Sequence, residues 1–339
     1  MTIFEAEITP GMSAAEVVDL AVAVEEAGFD RLGISDVVYW PDPYLLQVMA
    51  AERTERILIG SMVTNPYTRH AVAHASALST LHEVSGGRAF LGIGVGAGLE
   101  ELGFDDERPV RTLRTAVESI RALLAGEEVH GGRLVRPPET PVPVAIGTRS
   151  RQVMALAGEL ADVALVGARH FTDETVATYR SWLATGAARV GRDPASIDVA
   201  PRVTLCVSED GAAARSSMKR YAAHYLDIVG SAGEVEVGPD QLTAIRAALG
   251  RSTGWYFDHD RHDDPELEPL IDDELVEAFA VVGTPDECVD QLRAIVDLGF
   301  TSVSCNLGAV RHGGNTMAGG LGETIDGARS ILTALAEAG

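Results

Sequence analysis

The stretch IFEAEI, residues 3–8, sets two carboxylates into a run that otherwise reads as a buried strand. Strand alternation sends Glu5 and Glu7 to one side and Ala6 and Ile8 to the other, so acidic groups point where core side chains belong. Held among apolar walls, Glu7 could donate or accept a proton near neutrality; a merely solvated or paired carboxylate is the alternative. LGIGVGAG at 91–98 would leave the amides around Gly94 and Gly96 open to a flat ligand. It fits a tight turn as well, and its spacing is not the G-x-G-x-x-G of a dinucleotide fold. GTRSR at 147–151 joins Gly147, the hydroxyls of Thr148 and Ser150, and the cations Arg149 and Arg151 at the start of a helix. Such a cluster can cradle a phosphate or simply cap the helix. SMVTNPYTRH at 61–70 begins with strand formers and gives way after Val63 to hydrogen-bonding groups, Thr64 and Asn65 first.

Two further features carry less. The acidic loop DHDRHDD at 258–264, with His259 and His262, lacks the spacing of any metal ligand set, and no metal is expected. Cys206, Cys288 and Cys305 are far apart, without C-x-x-C spacing, and read as buried thiols.

The elements that must position these residues follow from periodicity. Strands are expected at 3–8, 31–35, 57–63, 88–93, 142–146, 163–166, 198–207 and 302–306. Helices are expected at 14–27, 44–53, 71–84, 110–124, 150–160, 173–190, 241–249 and 285–298. Eight strands separated by helical sequence predict an α/β chain folded as a (β/α)8 TIM barrel, a single domain over 1–339. The alternation breaks at about 230–271, which reads as an insertion between strands seven and eight. EEAGFDRLGIS at 25–35 and VDLGFTSVSCN at 296–306 repeat one junction, in which glycine ends a helix and phenylalanine closes the barrel floor. Barrels of this kind place their active sites at the carboxyl ends of the strands, where Asp36, Val63 to Asn65, Gly92 to Gly96 and Gly147 to Ser150 fall.

Composition narrows the partners. With 46% hydrophobic residues the chain can bury one large core. Its 50 acidic against 27 basic residues, a formal net charge of -23, repel phosphate backbones and anionic membranes, so nucleic acid and membrane are excluded as partners. MTIFEAEITPG carries glutamates where a secretory signal would carry lysine or arginine, and no apolar run approaches the ~20 residues needed to span a bilayer. A cytoplasmic protein is expected.

SMVTNPYTRH (61–70), ALSTLHEVSGGRAFLGIGVG (77–96), SIRALLAGEEVHGG (119–132), ALAGELADVAL (155–165) and ELVEAFAVVGTPDE (274–287), in this order, resemble the bacterial luciferase-like superfamily. Within it the chain is similar to the branch that uses the deazaflavin coenzyme F420, the methylenetetrahydromethanopterin reductases among them. The resemblance implies an oxidoreductase that transfers a hydride between deazaflavin C5 and a small organic substrate. The alternatives are an FMN-dependent monooxygenase and a non-catalytic carrier of deazaflavin or flavin. It implies a non-prolyl cis peptide at Met62–Val63 behind the ring, and hydrogen bonds to the ring's polar edge from Thr64 and Asn65. It also implies cofactor contacts from Asp36, Gly94, Gly96 and Gly167, and a phosphate site over Gly147, Thr148, Arg149, Ser150 and Arg151. Glu7 takes the proton role, with Asp36 in support. Val37 follows Asp36 where the family has histidine, and Ala97 stands where the reductase has aspartate, so the resemblance does not extend to the substrate. Family habit implies a homodimer or homotetramer.

Overall fold

The computed structural model describes residues 2–96, 99, 102–167, 171–230, 232–233, 235–250 and 265–338. Ala97 and the loop bearing His259 and His262 lie outside them. The strands are β1 (Ile3–Ile8), β2 (Arg31–Ile34), β3 (Leu58–Ser61), β4 (Ala89–Ile93), β5 (Val144–Thr148), β6 (Val163–Val166), β7 (Asp198–Val207), β8 (Val281–Gly283) and β9 (Ser302–Leu307). All pair in parallel. Seven of them run β1 to β7 around the ring, and β9 closes it between β7 and β1. This is a (β/α)8 barrel.

β7 is ten residues long and has work for each part. Asp198 to Pro201 pair with β6, Arg202 to Leu205 with β9, and Leu205 to Val207 with the extra strand β8. Between β7 and β9 the chain also carries α7 (Gly211–Val229), α8 (Pro239–Leu249), α9 (Asp273–Glu277) and α10 (Pro285–Val296). The remaining helices are α1 (Ala14–Ala27), α2 (Pro43–Ala51), α3 (Ala71–Val84), α4 (Pro109–Leu124), α5 (Arg151–Leu160), α6 (Asp173–Arg189) and the last, α11 (Met317–Ala338). The expected Gly-Phe junctions form as read: Gly28 and Gly299 have φ of 104° and 84°, and Phe29 and Phe300 are buried behind them.

Two kinds of core result from the alternation. Outward residues such as Ile8, Leu32, Ile59 and Val303 pack under the helices in the main apolar cluster. The barrel interior divides into unlike halves. On the β3 to β6 side it is apolar, with Met62, Phe90, Ala145, Val163 and Leu165 in one cluster. On the β1, β2, β7 and β9 side it holds Glu5, Glu7, Arg31, Arg202, Ser304 and Asn306. Buried charge requires partners, and this half supplies them to itself.

Candidate active site

A cavity of about 580 Å³ opens at the carboxyl ends of the strands. That volume lies within the range of small-molecule sites. Every residue assigned from the sequence to the cofactor or to proton transfer lines it except Arg151, which is exposed on the first turn of α5.

One wall is built where β3 ends. The Met62–Val63 peptide bond is cis, and Val63 is seated against two glycines. A Cβ on Gly94 would lie 3.3 Å from one Val63 methyl, and a Cβ on Gly147 3.2 Å from the other. The Gly94 amide donates to the Thr64 carbonyl at 2.9 Å, and the Thr64 amide to the Gly92 carbonyl at 2.9 Å. The glycine run therefore does not leave the Gly94 amide bare for a ligand; Val63 and Thr64 take that place, because a strand end held so closely tolerates no side chain there.

The polar groups of the bulge are likewise spent on its own shape. The Thr64 hydroxyl donates to Asp36 Oδ2 at 2.6 Å. Asn65 Oδ1 accepts from the amides of Tyr67 and Thr68 at 2.9 and 3.0 Å, an Asx-type turn. His74 Nε2 lies 3.1 Å from the Asn65 carbonyl and its Nδ1 2.8 Å from the Tyr44 hydroxyl. Burial pushes His74 down to about 4, so the ring is neutral. The carbonyl can only accept, so Nε2 carries the proton and Tyr44 donates to Nδ1. The side chains of Thr64 and Asn65, the residues expected at a ligand's polar edge, hold the loop itself, and the Asn65 turn pairs backbone donors that would otherwise go unpaired. Burial raises Asp36 above the usual carboxylate range, against the hydrogen bond from Thr64.

The opposite side belongs to Glu7. It is 2% exposed and accepts from Arg202 Nε and Nη2, both at 2.6 Å, and from the Ser35 hydroxyl at 2.8 Å. Burial alone would weaken the Arg202 cation, but the Glu7 carboxylate outweighs it and holds the guanidinium protonated. Of the two readings of Glu7 left open by the sequence, the structure shows the paired carboxylate, and its walls are polar on this side: both oxygens are engaged by donors. Arg202, Ser35, Asn306 and Tyr225 also line the cavity and were not singled out from the sequence. Arg202 was readable, since alternation in DVAPRVTLCV puts it on the inner face between Ala200 and Thr204, where an arginine needs a carboxylate.

At the far end stands the start of α5. Ser150 is its N-cap, accepting from the Val153 amide at 3.3 Å, and the Thr148 hydroxyl donates to the Ser150 carbonyl at 3.1 Å. Both hydroxyls therefore serve the helix terminus, the plain capping role. What is left for an anion is the positive end of α5 and Arg149. The stem of Arg149 lies against Gly167, where a Cβ would come within 3.0 Å, and its guanidinium is 5.8 Å from the Tyr225 ring centre. An apolar wall at one end and a cationic helix start at the other fit a flat ring with an anionic tail.

Residues 2–302 match the family described as luciferase-like monooxygenase. The chain is 32% identical to 5,10-methylenetetrahydromethanopterin reductase of Methanolobus tindarius over 88% of its length and 92% of that protein's. It is 29% identical to F420-dependent glucose-6-phosphate dehydrogenase of Nocardia farcinica over 84% of its length and 85% of the relative's. Among solved structures, the coenzyme F420-dependent tetrahydromethanopterin reductase of Methanopyrus kandleri superposes with a TM-score of 0.77 at 24% identity, covering 95% of this chain and 98% of that one. Among the described residues no helix is long and apolar enough to cross a membrane.

Proposed function

The chain belongs to the luciferase-like monooxygenase family, and on that premise we propose that it is an oxidoreductase that binds coenzyme F420 in the 580 Å³ cavity and acts on a small organic substrate. The observation that carries this reading is the joining, in one cavity, of the Val63 wall, the Arg149 and α5 anion end, and the buried carboxylate of Glu7. The choice of deazaflavin is supported by relatives whose names include F420. Those relatives act on unlike substrates, a pterin derivative in one case and a sugar phosphate in another, so the substrate is left as a class.

Bound there, deazaflavin supplies two-electron hydride exchange at its C5 carbon. Val63, held by Gly94 and Gly147, would back the ring, and Asp36 would stand at its edge. Arg149 and the first amides of α5 would hold the phosphate. Glu7, fixed by Arg202 and Ser35, would take the proton that leaves the substrate, or return it in the reverse direction. The apolar wall and the closed barrel floor exclude water from the reacting atoms.

Arg149→Ala should weaken F420 binding by about 1 to 3 kcal/mol through loss of charge-assisted bonds. Arg151→Ala, which removes an exposed cation outside the cavity, should leave it unchanged. Fluorescence titration of both variants at moderate salt checks this. Equal losses from the two would mean that only the general field is felt, and the phosphate would then lie elsewhere.

A further inference from the structure

Glu5 is a buried carboxylate that the proposed chemistry does not use. It is 5% exposed, does not line the cavity, and sits one layer below Glu7 on the same inner face of β1. In the register of the barrel, Glu5 is level with Ser304 on β9, and Ser304 is level with Arg202 on β7. Glu7 is one row higher, level with Asn306 and Thr204. The backbone of Arg202 therefore stands in the row of Glu5, yet its guanidinium reaches up to Glu7. Arg31, level with Glu5 on β2, is turned to Asp198 at 3.7 Å. Among the described residues Glu5 accepts one hydrogen bond, from the Ser304 hydroxyl at 2.5 Å. It stands between two arginines, each committed to another carboxylate.

We propose that Glu5 is a positioning residue for proton transfer at Glu7: it competes for Arg202, and its own proton decides how firmly Glu7 is held as an ion. The groups facing it are Ser304 from β9, Arg31 from β2, Arg202 from β7 and Glu7 from its own strand; Cys305, the neighbour of Ser304, points to the outer face of β9 but still feels the Glu5 charge. Burial, against the Ser304 hydrogen bond and the two arginines, pushes Glu5 up to about 7. With Glu5 neutral, the charge of Arg202 belongs to Glu7. With Glu5 ionised, that charge is divided and a second anion stands beside Glu7, which becomes the stronger proton acceptor. The coupling rests on the barrel interior alone; its effect on turnover rests on the proposed role of Glu7.

The test is infrared titration of isotope-labelled glutamate carboxyls in the chain without cofactor, from about pH 5.5 to about 8.5, a range that brackets the shifted group. The wild type should show a protonated carboxyl band that disappears with a midpoint near 7. That band should be missing in Glu5→Gln, and in Ser304→Ala its midpoint should move to higher pH, because a hydrogen bond that favours the ion is gone. The Glu7 carboxylate band, identified by Glu7→Gln difference, should shift through the same window in the wild type and stay fixed in Glu5→Gln. The proposal is overturned by a wild type with no protonated carboxyl at the acid end, by a band that survives Glu5→Gln, or by a Glu7 band that ignores the titration. These infrared readouts are taken without F420, so failure of the cofactor assignment would leave them unchanged. With turnover assayed in the direction where Glu7 accepts the proton, kcat should rise through pH 7 in the wild type and lose that inflection in Glu5→Gln, while KM for F420 stays constant.

Discussion

Glutamine in place of Glu7 is expected to leave F420 bound and to slow turnover by roughly 10²-fold or more, the usual scale for loss of a general acid or base. The substitution keeps size and shape, and its carbonyl can still accept from one nitrogen of Arg202, while its amide takes the place of the oxygen that accepts from the other nitrogen and from Ser35. What disappears is the site that takes up a proton. Single-turnover measurement of the deazaflavin absorbance change isolates the chemical step from product release. A variant that binds F420 normally and reacts at the wild-type rate would make Glu7 a structural anchor for Arg202 and move proton handling to Asp36, which the Thr64 hydroxyl holds at the cavity wall.

Arg202→Met should cost the protein about 3 to 5 kcal/mol, the scale for stranding one member of a buried ion pair. Glu7 is 3% exposed at its side chain, and among the described residues its two bonds to Arg202 are the only charged ones it makes. Methionine preserves the length of the stem but leaves the carboxylate facing the Ser35 hydroxyl alone. Removing both partners, Glu7→Gln with Arg202→Met, should recover a large part of the loss, since no uncompensated charge remains. Urea unfolding of the two single variants and the double variant measures this. A loss under about 1 kcal/mol in Arg202→Met would mean that water reaches the pair and that the interior of this half of the barrel is wet.

The barrel was legible in the sequence because its strands are short runs of β-branched and aliphatic residues separated by amphipathic helices. β1, β6 and β7, and the helices α1 and α3, fall on the residues that periodicity marked. Where contrast is low, the reading failed. α7 is alanine-rich around its circumference, and α11 opens with three glycines in its first turns, so neither shows a clear apolar stripe. β8 has three residues, too few for a period of two to appear. The site was legible as positions but not as partnerships. Strand ends pointed to Asp36, Val63, Gly94, Gly147 and Arg149, all of which meet in the cavity. That Thr64 spends its hydroxyl on Asp36, and that Glu7 is claimed by an arginine 195 residues away, depends on which strands become neighbours across the barrel. Local sequence carries no record of such pairings. Arg202 still left a trace, as a charged residue on the inner face of an apolar strand.

Whether this barrel holds a deazaflavin for hydride exchange is decided by parallel titration of the protein with F420 and with FMN. F420 is predicted to bind saturably and more tightly than FMN by at least roughly tenfold, about 1.4 kcal/mol, with Arg149→Ala weakening F420 and Arg151→Ala not. Tighter binding of FMN would contradict the claim and make the chain a flavin-dependent member of its family.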